Sequence, residues 1–123
     1  MINLNQPFSF DVDVFLGCNG GGADGIAFVL QPVSTSLGST GGGIGYQSIS
    51  PSFAVEFDTW LNSQYSDPWY NHVAIQKNGN LNHTGTSNLA GPVGFPPTGF
   101  SSIEDCQWHK AIFNWDPATT NFT

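Results

Sequence analysis

Residues 52–75 read SFAVEFDTWLNSQYSDPWYNHVAI. The first half alternates. Phe53, Val55 and Phe57 project to one side and Ala54, Glu56, Asp58 and Trp60 to the other, as successive side chains do on an extended strand. This puts two carboxylates two residues apart on one face. Ionised carboxylates repel each other, and an apolar interior holds neither without a partner. The following residues supply partners: Asn62, Asp67 and His72 lie six, eleven and sixteen positions after Glu56. A chain that leaves the strand at Asn62, loops through Asp67-Pro68 and re-enters a strand at His72-Val-Ala-Ile75 would bring all five to one point. Carboxylate, amide and main-chain oxygens suit calcium, and an added imidazole suits a transition metal.

Glu56-x-Asp58-x-Trp60-x-Asn62, then Asp67-Pro68, then His72 resembles the metal loop of the L-type lectins, the legume lectins and their bacterial and secretory-pathway relatives. The resemblance implies an antiparallel β-sandwich of the concanavalin-like jelly-roll kind, in a member of the bacterial type. It also implies Ca2+ on Asp58, Asn62, Asp67 and the main-chain oxygen of Trp60. A second ion, Mn2+ in the legume branch, would take Glu56, Asp58, Asp67 and His72; some branches keep calcium alone.

The same resemblance extends to Ala23-Asp24-Gly25. In the family the Ala-Asp peptide is cis and its Asp accepts hydrogen bonds from two sugar hydroxyls. Carried over, Asp24 is the acceptor, Asn62 donates from its amide, and the Trp60 ring stacks on the apolar face of the sugar. A main-chain N–H of the Gly41–Gly43 loop completes the site. That loop is one residue shorter before Gly45 than in legume members, so either Gly42 or Gly43 is the donor. Read locally, each residue has a plainer role: Asp24 before Gly25 is a turn residue, Trp60 a core ring and His72 a core histidine. The metal loop decides between the two readings.

Composition narrows the function class. The chain has 123 residues, the length of one domain, and a net charge of −7 with Lys77 and Lys110 as its only strong bases. A nucleic-acid partner needs a basic face, and an anionic membrane surface needs a polybasic segment; neither is present. No segment is apolar enough to span a membrane. Gly, Ser, Asn and Thr take the place of Lys and Glu, as in many extracellular β-proteins. Cys18 and Cys106 lie 88 positions apart, with no CxxC. They are either two buried thiols or a disulfide. Each borders an expected strand and the composition points outside the cell, which favours the bridge; closing so long a loop stabilises by ~4 kcal/mol on the chain-entropy model.

Elsewhere, Phe8–Phe15 alternates and predicts a strand with Phe8, Phe10, Val12 and Val14 inward. Leu16–Ala23 is a loop. Gly25–Leu30 is a short apolar run, expected to be a strand buried on both faces. Ser34–Gly45 lacks the spacing of a phosphate cradle. Asn78-Gly79-Asn80 signals a hairpin joining His72–Lys77 to a segment near Leu81. Thr84–Ser102, with Pro92, Pro96 and Pro97, reads as surface loops. Trp108–Trp115 predicts a strand with His109, Ala111, Phe113 and Trp115 on one face. Asp116–Asn121 is a turn, and Phe122 opens another strand. A strand cut so short leaves its neighbour unpaired, so the chain is expected to be a fragment of one domain, truncated at both ends, whose lack of a secretion signal says nothing.

His83 and His109 have no partner at a telling distance and read as structural or surface residues. Glu104-Asp105 reads as a solvated turn. Tyr65, Trp69 and Tyr70 either pack the metal loop or flank the sugar. Asn82-His-Thr84 and Asn121-Phe-Thr123 fit the glycan acceptor pattern. The leading function is calcium-dependent carbohydrate binding without catalysis, in a larger secreted or cell-surface protein. Two others compete. Jelly-roll glycosidases carry Glu-x-Asp-x-x-Glu on one strand, but Leu61 stands at the third position where a retaining mechanism needs a carboxylate. A calcium-stabilised adhesive sandwich that binds protein is the other.

Overall fold

The period-two stretches fold as strands. The computed structural model of the chain describes residues 2–95 and 102–123. Among the described residues seven strands form: β1 (Phe8–Val14), β2 (Gly25–Leu30), β3 (Phe53–Asp58), β4 (His72–Lys77), β5 (Asn88–Gly94), β6 (His109–Asp116) and β7 (Asn121–Phe122). Short 3-10 turns occupy Gly41–Gly43 and Ser63–Tyr65. The strands build two antiparallel sheets, ordered β1-β6-β7 and β2-β3-β4-β5. The expected antiparallel β-sandwich is the architecture.

Aromatic rings join the two sheets. Phe28 of β2 lies with its ring centroid 5.1 Å from Phe10 of β1 and 4.6 Å from Phe113 of β6. Phe53 of β3 meets Phe122 of β7 edge-on at 4.7 Å. Contacts of this geometry add about 0.5–1.5 kcal/mol each beyond the area they bury. Beside them an apolar cleft of about 310 Å³ opens between the sheets, lined by Val55, Val73, Ile75, Ala111 and Phe113.

The opposite face of the four-stranded sheet is also covered. Ile44, Tyr46 and Ile49, from the segment between β2 and β3, pack with Leu81 on Ala54. Register aligns the strands beneath them: Asp58 pairs with Gly25 on one side and His72 on the other, and Glu56 pairs with Ala27 and Ala74.

Three expectations are corrected. Among the described residues β2 is an edge strand, and Ile26 is 41% exposed, so it is not buried on both faces; a continuous apolar run does not reveal how far each face is covered. Asn78-Gly79 does turn the chain, with both residues at positive φ. The partner of β4 is β5 rather than the segment near Leu81. Residues between the turn and β5 instead fold back over the sheet, and Leu81 is buried there. The stretch expected to be loops therefore contains a strand. Pro92 lies in it without penalty because β5 is an edge strand, where a missing N–H interrupts no inner ladder. Pro96 and Pro97 lie outside the described residues.

Candidate functional site

Strand alternation sends Glu56 and Asp58 of β3, and His72 and Gln76 of β4, to the loop-covered face. All four are buried there, Glu56 and His72 to 1% exposure and Gln76 to 0%. Each carboxylate of the cluster has one oxygen held by the protein. The Tyr46 hydroxyl donates to Glu56 Oε2. Asp58 Oδ1 accepts the Trp60 N–H at 2.8 Å, and Asp67 Oδ2 accepts the Asn62 N–H at 2.6 Å. His72 Nδ1 faces the Tyr70 carbonyl at 3.3 Å, which aims Nε2 into the cluster. Asp58, Asp67 and His72 thus offer donor atoms within 4.8 Å of one another, as do Glu56, His72 and His83.

His83 corrects the expectation of an unpartnered histidine. Its Nε2 lies 3.0 Å from His72 Nε2, 3.3 Å from Asp67 Oδ1 and 3.4 Å from Glu56 Oε1. The chain between the Asn78-Gly79 turn and β5 carries it there. The turn is tied to Ser52, whose carbonyl accepts the Asn78 N–H and whose hydroxyl accepts the Gly79 N–H. The His83 N–H then bonds the Tyr65 carbonyl of the metal loop at 3.0 Å. Sequence spacing offered no signal for this, because the approach depends on a fold-back rather than a strand.

The second half of the candidate site lies at the rim. The Ala23–Asp24 peptide is cis, as the resemblance implied. The Asp24 carbonyl accepts the Thr59 N–H at 3.0 Å, which extends the β2–β3 ladder past its end and anchors Asp24 beside Asp58. Gly41 and Gly42 face this corner. A Cβ on Gly41 would stand 3.7 Å from Asp24 Oδ2, and one on Gly42 would stand 3.0 Å from the Asn62 amide nitrogen. Gly43 is buried instead against Ser39 and Gln47. Trp60, just past β3, is 46% exposed. Asp24 thus lies against Gly41 and Asn62 against Gly42, at one edge of the buried cluster, while the Cα of Gly43 faces Ser39 and Gln47.

Electrostatics sharpen the picture. Burial pushes Glu56 above the usual carboxylate range, against the Tyr46 hydrogen bond that opposes it. Burial raises Asp58 to about 7, with Asp67 and Glu56 adding repulsion. The Tyr46 hydroxyl is held far above its ordinary value by burial and by the charge of Glu56. Burial and then His83 lower His72. Burial also opposes protonation of His83, but the hydrogen bond it donates to Asp67 and the charge of Glu56 outweigh it and raise its pKa. A buried group of three carboxylates is unstable as anions alone. A divalent cation fits the donor set. Glu56 Oε1 and Asn62 Oδ1 are both buried with no hydrogen-bond partner, and hard oxygen donors of this kind are calcium ligands.

A family model for the legume lectin beta-barrel domain matches residues 1–123. The chain belongs to the L-type (legume-type) lectin domain family. Among curated relatives, lectin-4 of Griffonia simplicifolia is 44% identical over 64 residues, covering 46% of this chain and 26% of that protein. The probable L-type lectin-domain containing receptor kinase S.7 of Arabidopsis thaliana is 35% identical over 118 residues, 92% of this chain and 16% of the relative. Pesticidal crystal protein Cry22Aa of Bacillus thuringiensis is 29% identical over 115 residues, 90% of this chain and 15% of that protein. The chain thus spans at most about a quarter of the length of these relatives.

Cys18 and Cys106 are joined as a disulfide, which clamps the loop before β2 to the segment before β6. Glu104, expected on a solvated turn, is buried against Gly22, where a Cβ would collide with its carboxylate. Asp105 is exposed and bonds His109 Nε2 at 2.9 Å, so His109 too has a partner.

Proposed function

We propose that this lectin domain binds carbohydrate in a calcium-dependent manner, without catalysis, as part of a larger secreted or cell-surface protein. Asp58, Asn62, Asp67 and the Trp60 carbonyl hold calcium; Glu56, Asp58, Asp67 and His72 hold a second, transition-metal ion such as Mn2+. The ions supply positive charge to a carboxylate cluster and fix the loop that carries Asn62. Asp24 accepts from sugar hydroxyls, Gly42 donates its N–H, Asn62 donates from its amide nitrogen, and the exposed Trp60 ring covers the apolar face of the sugar. The observation that carries this reading is the convergence of Asp24 and Gly41–Gly42 on Asn62, whose amide oxygen is buried and unpartnered.

A glycosidase reading has nothing comparable behind it. Glu56, one of the two carboxylates it requires, is buried to 1% exposure and bonded by the Tyr46 hydroxyl. Leu61 stands where the second carboxylate belongs. The low charge and the disulfide support an extracellular location. The experiment is titration calorimetry with calcium followed by a panel of immobilised glycans, with and without chelator. Sugar binding that appears with calcium and vanishes with chelator is expected. Tight calcium binding with a blank glycan panel would overturn the proposal in favour of a protein-binding adhesive domain.

A further inference from the structure

The inner end of the cluster carries one donor more than the ligand set above uses. We infer that His83 is a direct ligand of the inner ion, where it joins His72 and Glu56, whose donor atoms lie within 4.8 Å of its own, and gives that position a second imidazole that suits it to zinc rather than manganese. The inference rests on the metal-dependent reading above.

Geometry carries it. His83 Nε2 stands 3.0, 3.3 and 3.4 Å from His72 Nε2, Asp67 Oδ1 and Glu56 Oε1. Four donors around a tetrahedral zinc with bonds near 2.0–2.1 Å are separated by roughly 3.3–3.4 Å. The three spacings from His83 therefore match, to within a few tenths of an ångström, those between ligands of one small ion. A hydrogen-bonding account leaves lone pairs over. A single N–H on His83 Nε2 satisfies one of its three neighbours, and Glu56 Oε1, buried at 1% exposure, makes no hydrogen bond at all. One cation between His72, His83 and Glu56, whose donor atoms lie within 4.8 Å of one another, satisfies all three.

The supporting contacts are those metal-bound imidazoles need. A ligating histidine donates its other ring N–H to an acceptor, which fixes its tautomer. For His72 that acceptor is the Tyr70 carbonyl. For His83 it is the side-chain amide of Gln76, which faces Nδ1 at 2.8 Å. Gln76 Oε1 is itself buried and unpartnered; turning the amide over gives that oxygen the Nδ1 proton and frees Nε2 for the metal. Two imidazoles shift a site's preference from Ca2+ and Mn2+ towards Zn2+, Co2+ and Ni2+, because nitrogen donors suit borderline ions better than hard ones.

The test is nitrogen-15 NMR of the histidine-labelled wild-type chain, stripped with chelator, refilled with calcium and titrated with zinc. The chain has three histidines, and His109, paired with Asp105 outside the cluster, is the internal control. Expected is a shift of both His72 Nε2 and His83 Nε2 to metal-bound values, with His109 unmoved. A response from His72 alone, or a His83 that keeps protons on both nitrogens in the zinc-loaded protein, overturns the inference. His83→Gln supplies a second readout. Loss of a supporting contact costs about 10–100-fold in metal affinity, so loss of a ligand should lower zinc affinity by more than about 100-fold. A zinc affinity lowered by less than about tenfold counts against it. Zinc on both imidazoles with no sugar binding would refute the lectin reading and leave this one standing. Calcium-dependent sugar binding with His83 indifferent to zinc would do the reverse.

Discussion

The two faces of β3 and β4 are built on opposite plans. One carries Phe53, Val55, Phe57, Val73 and Ile75 and meets the second sheet; the other carries Glu56, Asp58, His72 and Gln76 and, among the described residues, is covered by loops. The polar face is the more deeply buried: Glu56, Asp58, His72 and Gln76 are all inaccessible, whereas Phe53, Phe57, Val73 and Ile75 are half-buried. Cover on the polar side is stitched by directional bonds, Asn78 and Gly79 to Ser52, His83 to Tyr65, and Tyr46 to Glu56. Cover on the apolar side is non-directional and depends on β1, β6 and β7, with a cleft left between. The difference teaches that depth of burial here follows chemistry held in place rather than hydrophobicity.

Disabling the polar face should have the largest effect. Asp58→Ala removes a carboxylate shared by both proposed ion sites, so calcium binding and sugar binding should be abolished together in calorimetry. Retained sugar affinity would separate the two and defeat the mechanism. On the apolar face, Phe113→Ala deletes the ring that meets Phe10 and Phe28. It should lower unfolding stability by about 3–5 kcal/mol, the cost of an emptied aromatic site, as measured by urea denaturation, with ion stoichiometry unchanged in the folded fraction. The rim should separate from both. Asp24→Ala is expected to weaken sugar binding by more than about tenfold, roughly the 1.5–3 kcal/mol of hydrogen bonds to a charged acceptor, while calcium affinity and melting temperature stay put.

The smallest effect concerns pH. Asp58 is raised from 3.8 to about 7 in the folded chain, so between those values the folded state holds a proton that the unfolded state has released. Stability in chelator should therefore fall as pH rises from about 4 to 7. Glu56, raised by the same burial, acts in the same direction. Calcium takes the proton's place, and at 100 times its dissociation constant it should return about 2.7 kcal/mol near neutral pH. Melting curves across pH with and without calcium check this; parallel curves would mean the cluster does not couple to the ion.

Much of this was legible beforehand because it is local or carried by a spaced motif. Alternation in residues 53–58 placed Glu56 and Asp58 on one face, and the offsets to Asn62, Asp67 and His72 marked the loop that gathers them. The Ala23–Asp24 cis peptide followed from family resemblance, and the disulfide from the positions of Cys18 and Cys106 beside expected strands. The misses share a cause. His83, Leu81 and Glu104 reach their places through excursions between strands, and no periodicity encodes where a fold-back lands. β5 was hidden because Pro92 argues against an inner strand and is silent about an edge one.

By itself, then, the order of residues determined the strand pattern, the acidic motif and the family, since those depend on period-two geometry and on ligand spacing along one short stretch. Which residues close the cluster was decided only in three dimensions. His83 lies eleven residues beyond His72 in sequence, yet the two nitrogens are 3.0 Å apart. Bonds from the turn to Ser52, and from the His83 N–H to the Tyr65 carbonyl, fix the fold-back that brings the two imidazoles together.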